Sequence, residues 1–532
     1  MIGTLVSCML DLASWLSSYG HDPWGVTPLT AQQRRSSLNS SVCEARQPSV
    51  SAPHGNIWAA LTDKEAADVV DLLRRDSTGL NLTAYDSAGS WDNKILLVEL
   101  LLPNKSDALP LLNNKTTKAP RRCARATLMF GATPNPYLQD YVIGPLPVTN
   151  MTEVQPLRFL YNNAGKGRVA VDFADGGALV DFANGVGLSV ADITKLLWNA
   201  TLEDTLSLLP GYPPLRDKGR LTVWYNFVNQ PASIFDTETI LPLGWHYNGI
   251  FYPTADAFRA AATSANFTKL GANVDGPWAQ LDKQGDPMKF DNQPPPTPVM
   301  PGPNRFSVDS KESYVEWNGF YTKYVMLARA VENEHPVELA PNCSSTIHQL
   351  GLQEALAHYA GNEPAQSGTI YFDSKPGVGP SVVSLVDGYD CPTYSTYLNA
   401  TYQEGERSYS RANAICLFEF DQGYPMHRHS AAHYTTVTKN IAFTVRSVST
   451  IANYDYMFSY NFFLDGGIEV SVRASGYILG GFSANNEDYG WKIHDHLSGS
   501  IHDHVLTYKA DIDILGEKNS LQKVEFVRAV AE

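Results

Sequence analysis

Three His-X-His triplets stand out as residues whose type and spacing could do chemistry: His427/His429, His494/His496 and His502/His504. Residues two apart on a β-strand face the same side, so each pair can present two imidazoles to one ion. A nitrogen set without thiolate suits copper, zinc or iron. In "SIHDHVLTYKADID" the apolar Ile501 and Val505 bracket the last pair, which places both histidines on a strand and not in a polar loop. Two nitrogens are too few for a stable site, so a third ligand must come from elsewhere. A second group is "STIANYDYMFSYNFF", Ser449 to Phe463, with three tyrosines and three phenylalanines. Composition alone reads it as a buried aromatic strand; beside a metal, one of its tyrosines would be chemistry.

The elements that must position these groups can be read from period and punctuation. After Arg305 strand-like runs recur: "SYVEWNGFYTKYVML", "PSVVSLVDGY", "AICLFEF", "KNIAFTVRSVSTIANYDYMFSYNFFLDG", "IEVSVRASGYI" and "HDHVLTYKADIDI". Gly, Asp and Pro separate them, which predicts a large antiparallel β-sandwich over residues 306–532. Upstream, "LTDKEAADVVDLLRR" predicts an amphipathic helix capped by Thr62, and "KILLVELLLP" and "ATLMFGA" predict strands, together a small α+β unit over residues 53–148. "GRVAVDFA", "SVADITKLLWN" and "GRLTVWYNFV" predict a second such unit over residues 149–260. The proline-dense stretch within residues 261–305 predicts a linker, and residues 1–52 a leader and loose arm. "LQEALAHY" reads as helix-like, with Tyr359 at its end as a core or capping residue. Taken alone, Asp373 between Phe372 and Ser374 reads as a turn aspartate.

With 532 residues, 43% hydrophobic and 18% charged, the chain has a globular composition and is too long for one core. Forty basic against 55 acidic residues give a net charge of −15, which argues against a nucleic-acid partner. No apolar run is long enough to span a membrane as a helix. Nine Asn-X-Ser/Thr sequons, at Asn39, Asn81, Asn104, Asn114, Asn150, Asn199, Asn266, Asn342 and Asn399, predict a secreted, glycosylated chain, although the N-terminus is an imperfect signal peptide. The absence of a Cys-X-X-Cys pair disfavours a thiolate zinc site.

"RSVSTIANYDYMFSY" followed by "SGSIHDHVLTYKADID" resembles the copper-containing amine oxidases, especially their secreted fungal branch. The likeness covers roughly residues 53 to 516 and takes in "HYAGNEPAQSGTIYFDSKPGVGP", "GYDCPTY" and "AICLFEFD". It implies that Tyr454 is the precursor of a topaquinone, with Asn453 restraining the ring. It implies copper on His502 and His504, Asp373 as catalytic base, Tyr371 as the gate to the quinone and Tyr359 as its hydrogen-bond partner. It further implies a Cys391–Cys416 bridge, a peripheral calcium-type site begun by Asp511 and Asp513, and a homodimer. His427/His429 and His494/His496 fall outside the implied ligand set.

The activity so implied is oxidative deamination of a primary amine, with O₂ as second substrate. The family's third copper histidine lies well downstream of its His-X-His, whereas this sequence has no histidine after His504 and ends at Glu532. The expectation is therefore a sandwich that is incomplete at its C-terminus. An inactive secreted glycoprotein of the same fold is the alternative. A metal hydrolase using His502 and His504 lacks a well-placed glutamate or third histidine.

Overall fold

The computed structural model describes residues 50–513, apart from 158–165, 169–175, 212–221, 228–231, 237–240, 271–285, 319, 324, 327–332, 335–336, 340–346, 362–369 and 374–376. Nearly all of the leader and loose arm, and parts of the linker, lie outside the described residues.

Helix α1 (Asp63–Leu73) forms where the sequence predicts it. Thr62 accepts from the Glu65 amide while the Glu65 carboxylate accepts from the Thr62 amide, a reciprocal cap. Its apolar stripe, Ala66, Val69, Val70, Leu72 and Leu73, is buried against an antiparallel sheet that contains the strands Lys94–Leu101, Cys123–Phe130 and Tyr137–Gly144. Helix α2 (Lys105–Leu112) closes one end of this first unit with Leu109 and Leu112 packed near Trp58. The second unit is a five-stranded antiparallel meander between Leu208 and Tyr252, covered by the helices Gly176–Leu188, Ala191–Trp198 and Ala255–Ala262. Its core joins Val190, Ile193 and Phe258 to Phe227, Trp245 and Tyr247.

The remainder is a β-sandwich, whose strands are numbered here from the first that bears on the site. One sheet contains β1 (Ile347–Tyr359) with β2 (Ile370–Phe372) on one side. The facing sheet runs β3 (Thr396–Glu404), β4 (Arg407–Ser430), β5 (Thr435–Ile451), β6 (Tyr454–Phe463) and β7 (Ile468–Gly476) in sequential order. The last described strand, β8 (His502–Ile512), returns to the first sheet and pairs antiparallel with the other edge of β1. Trp317 and Leu350 from one sheet meet Leu398, Phe443 and Tyr460 from the other in the main core. A smaller cluster of Leu352, Ala355, Ile451, Tyr456 and Phe458 lies next to the candidate site. Small α+β units followed by a large antiparallel sandwich is the architecture expected from the sequence.

"LQEALAHY" is not helical but the second half of strand β1. Its Leu, Glu and Ala favour helix intrinsically, but tertiary pairing overrides so weak a preference. Here β1 is hydrogen-bonded on both edges, to β2 and β8, and Ala355, Ala357 and Tyr359 alternate into the core.

The first unit docks on the sandwich at the β3–β4 hairpin. The Val98 amide donates to Gly405 O at 3.0 Å, Gln403 Nε2 donates to Leu61 O at 3.2 Å, and Arg74 pairs with Glu406. Cys391 and Cys416 form a disulfide that ties the segment before β3 to β4.

Candidate active site

Tyr454 opens strand β6 directly after a two-residue turn, Ala452-Asn453, that closes the β5–β6 hairpin; Ile451 pairs with Tyr454 across it. Ala452 holds φ at +52°, an uncommon conformation for a residue with a Cβ. The turn keeps that geometry because β7 clasps it. The Tyr477 amide donates to Asn453 O at 2.7 Å, and Asn453 Nδ2 donates back to Tyr477 O. Gly476 makes this approach possible: at φ +101° its backbone lies so close that an added Cβ would stand 2.2 Å from Asn453 O and 2.9 Å from Tyr454 Cα. Gly476→Ala should therefore shift the turn and cost about 1–3 kcal/mol, read as a lower urea-unfolding midpoint. An unchanged midpoint would show that the clasp does not hold the turn.

The strand period puts Tyr454 and Tyr456 on one face, toward the opposite sheet. There the β1–β8 register sets Tyr359 opposite His502 and Ala357 opposite His504, while Ala357 is also opposite Tyr371 on β2. The Tyr454 hydroxyl lies 2.7 Å from that of Tyr359 and 3.0 Å from His502 Nε2. His502 Nδ1 sits 2.9 Å from the Ser500 carbonyl, which can only accept, so Nδ1 carries the proton and Nε2 the lone pair. The chain of donors follows: Tyr359 O–H donates to Tyr454, and Tyr454 O–H donates to His502 Nε2. The Tyr359 ring stacks on His502 at 4.6 Å, and Tyr371 meets Tyr359 edge-on at 5.6 Å. Burial, then the neighbouring Tyr454 hydroxyl, holds the Tyr359 phenol well above its ordinary pKa, so it stays a neutral donor.

His504 Nδ1 shares a 2.7 Å hydrogen bond with the Tyr456 hydroxyl. Burial and the adjacent His502 lower the pKa of His504, which favours the neutral, ligating form of its imidazole. The two imidazole centroids are 4.9 Å apart. A nitrogen binds a first-row ion at about 2 Å, so rings sharing one ion stand within about 6 Å of each other. The pair thus fits a single copper ion held through the two Nε2 atoms, with each Nδ1 engaged by a neighbour that fixes ring orientation; at His502 the ion would take the lone pair that otherwise accepts from Tyr454. Among the described residues no cluster of three or more His, Cys, Asp or Glu side chains comes together, so these strands supply two nitrogens.

Asp373 follows β2 in a turn whose amide donates to Ala355 O at 2.9 Å. Its carboxyl is buried and Oδ2 has no hydrogen-bond partner. Burial pushes its pKa up to about 6; the Tyr456 hydroxyl pulls it down and Glu354 adds to the rise. A buried acid with a free oxygen and a pKa near neutrality is equipped to take a proton.

Tyr359, Tyr371, Asp373, Tyr454, His502 and His504 are thus gathered at one place. Asn453 adjoins them but is engaged with Tyr477 and not with an aromatic ring. Asp511 and Asp513 lie at the far end of β8, where Lys105 binds both. His427 and His429 are on the projecting half of the β4–β5 hairpin, and His494 and His496 are in a separate three-stranded sheet and its turn. Tyr456 was missed as a site residue, although its two-residue offset from Tyr454 was the signal that could have found it.

Comparison with known proteins finds relatives over most of the chain. The family description "Copper amine oxidase, enzyme domain" matches residues 307–532, "Copper amine oxidase, N2 domain" matches 70–152, and a domain of unknown function matches 241–286. The copper amine oxidase vicK1 of Bipolaris victoriae is 42% identical over 500 residues, spanning 90% of this chain and 69% of that protein. The primary amine oxidase, liver isozyme, of Bos taurus is 28% identical over 90% of this chain and 65% of its own. The crystal structure of Aspergillus nidulans amine oxidase superposes with a TM-score of 0.82 at 41% identity, over 93% of this chain and 67% of that one. Pichia pastoris lysyl oxidase gives 0.81 at 31% identity, over 88% and 67%. The chain spans about two thirds of the length of these relatives.

Proposed function

The chain belongs to the copper amine oxidase family, and from that premise we propose that it carries out copper- and topaquinone-dependent oxidative deamination of primary amines. The balanced reaction is RCH₂NH₂ + O₂ + H₂O → RCHO + NH₃ + H₂O₂. The observation that carries the reading is the hydrogen-bonded line Tyr359–Tyr454–His502, with Asp373 buried beside the same aromatic cluster. His502 and His504 would hold copper and Tyr454 would give rise to the quinone, and together these would supply the two-electron redox chemistry with O₂ as the final oxidant. The chain's own residues do the rest. Tyr359 holds the oxygen on residue 454 and so fixes how that ring lies. Asp373 Oδ2 receives the proton from the amine's α-carbon, and the apolar walls of Leu352, Ala355 and Phe458 keep water from competing for it. Tyr371, edge-on to Tyr359, borders the approach of the amine.

The same proposal includes a secreted, N-glycosylated homodimer. Seven sequon asparagines are described (Asn81, Asn104, Asn114, Asn150, Asn199, Asn266 and Asn399) and all are exposed, as glycan attachment requires. The disulfide suits an oxidising compartment. The outer β4–β5 hairpin exposes Tyr424, Met426, Tyr434 and Val437, an apolar surface fit for a second subunit.

A second reading, a non-catalytic glycoprotein of the same fold, is favoured by the count of two metal-binding nitrogens among the described residues. One experiment separates the two. The chain is expressed in a secreting host, incubated aerobically with copper, and assayed for bound copper, phenylhydrazine labelling and amine-dependent peroxide. Copper, labelling and peroxide together support the enzyme; their joint absence in a folded, glycosylated product supports the second reading.

A further inference from the structure

The two carboxylates at the end of β8, Asp511 within the strand and Asp513 one residue past it, already have a cation. Lys105, the first residue of α2 in the first α+β unit, brings Nζ to 2.6 Å from Asp511 Oδ1 and 2.5 Å from Asp513 Oδ1. Asp511 and Asp513 are two apart and so point to one side, where two like charges would repel without a counter-ion. Asp513 is only 5% exposed, too buried to be neutralised by solvent. Burial works against charge on the lysine, yet hydrogen bonds to both aspartates hold its pKa above the ordinary value, so it is present as ammonium. The half-buried His348 faces the same cluster, and burial keeps it mainly neutral.

A calcium ion at this place needs six to eight oxygen ligands at 2.3–2.6 Å. The described residues offer two carboxylates, each with one oxygen on the ammonium, and beside them the imidazole of His348; among these residues no group of three or more side chains is arranged to hold a metal ion. A divalent ion would have to displace a tethered charge that is already bound. The calcium expected from the sequence therefore does not fit these residues as they stand.

We propose that Lys105 is the resident cation of the Asp511–Asp513 pair, so that an ion pair and not a metal fastens the first α+β unit to the strand that carries His502 and His504. The fastening is independent of divalent ions and is instead weakened when the lysine is removed.

The test is thermal unfolding of the full chain in EDTA and in millimolar calcium, with bound calcium measured after dialysis. The wild type should unfold at the same temperature in both buffers and retain no calcium. Lys105→Met should unfold about 3 °C lower or more in EDTA, because it leaves two carboxylates unneutralised, and calcium should restore part of that loss. A wild type that gains several degrees in calcium, or retains one calcium per chain, would overturn the proposal. So would a Lys105→Met variant as stable as the wild type in EDTA. Should Lys105→Met fail to fold, the wild-type calcium response alone decides.

Discussion

Tyr454→Phe should abolish labelling by phenylhydrazine while leaving copper on the protein. Under the proposed function the labelled group would be a carbonyl on the ring of residue 454, and a phenyl ring without the phenol oxygen cannot be oxidised to it by the same route. The substitution also removes the centre of the hydrogen-bonded line. Tyr359 loses its acceptor at 2.7 Å and His502 its donor at 3.0 Å. Stranding the buried Tyr359 hydroxyl costs about 1–3 kcal/mol. The fold should bear this, because the ring remains packed in its cluster and both imidazoles keep their Nδ1 partners. Bound copper, phenylhydrazine absorbance and the unfolding midpoint, measured together, separate loss of the precursor from loss of the fold. Labelling that survives in a copper-loaded Tyr454→Phe protein would show that another residue carries the carbonyl.

Asp373→Asn should lower amine turnover about 10²- to 10⁴-fold with phenylhydrazine labelling retained. An amide occupies the same space and can still follow the turn held by Ala355 O, but it cannot accept the α-proton. The wild type should also show an acid limb. With the carboxyl pushed up to about 6, turnover falls as pH drops below that value and the base becomes protonated. Stability runs the other way. A carboxyl whose folded pKa is raised favours the fold fully below its unfolded value near 4, and that contribution is lost as pH rises through 6. Burying the ionised form then costs on the order of 2–3 kcal/mol at neutral pH. The asparagine variant escapes this cost, so its stability relative to the wild type should improve as pH is raised from 5 to 8. Near-normal turnover in the variant would assign the proton to another group.

The parts of this arrangement that follow local rules were legible in the sequence. Thr62 and Glu65 spell a helix start, and alternation around His502 and His504 spells a strand with both imidazoles on one face. Asn-Tyr-Asp-Tyr likewise reads as a strand, and its first tyrosine does meet the histidines. What failed was set by partners distant in the chain. "LQEALAHY" has the composition of a helix and becomes a strand because β8, some 150 residues later, pairs along its whole length. Lys105 and Asp511 are separated by more than 400 residues, and no local pattern links the start of a helix to the end of so distant a strand. Tyr456 and Gly476 were visible as residue types, but their roles depend on how closely β6 approaches its neighbours.

The β1–β8 ladder has a consequence for how the molecule is made. Tyr359, Tyr454 and His502 come from three strands, and the pairs they form span 95 and 48 residues of chain. None of them can meet until β5 and β6 have formed their hairpin, the two sheets have collapsed together, and β8 has zipped onto β1 in register. Contacts of such high sequence separation form late and slowly. A slip of β8 by one residue would turn His502 and His504 to the opposite face and bring Asp503 inward instead. If the pair takes copper as proposed, its capture would act as a proofreading step. Misregistered chains would bind the ion poorly, while correctly zipped chains would be stabilised by it through mass action. In a population of newly synthesised molecules, the appearance of tightly held copper would mark the fraction that has completed its topology.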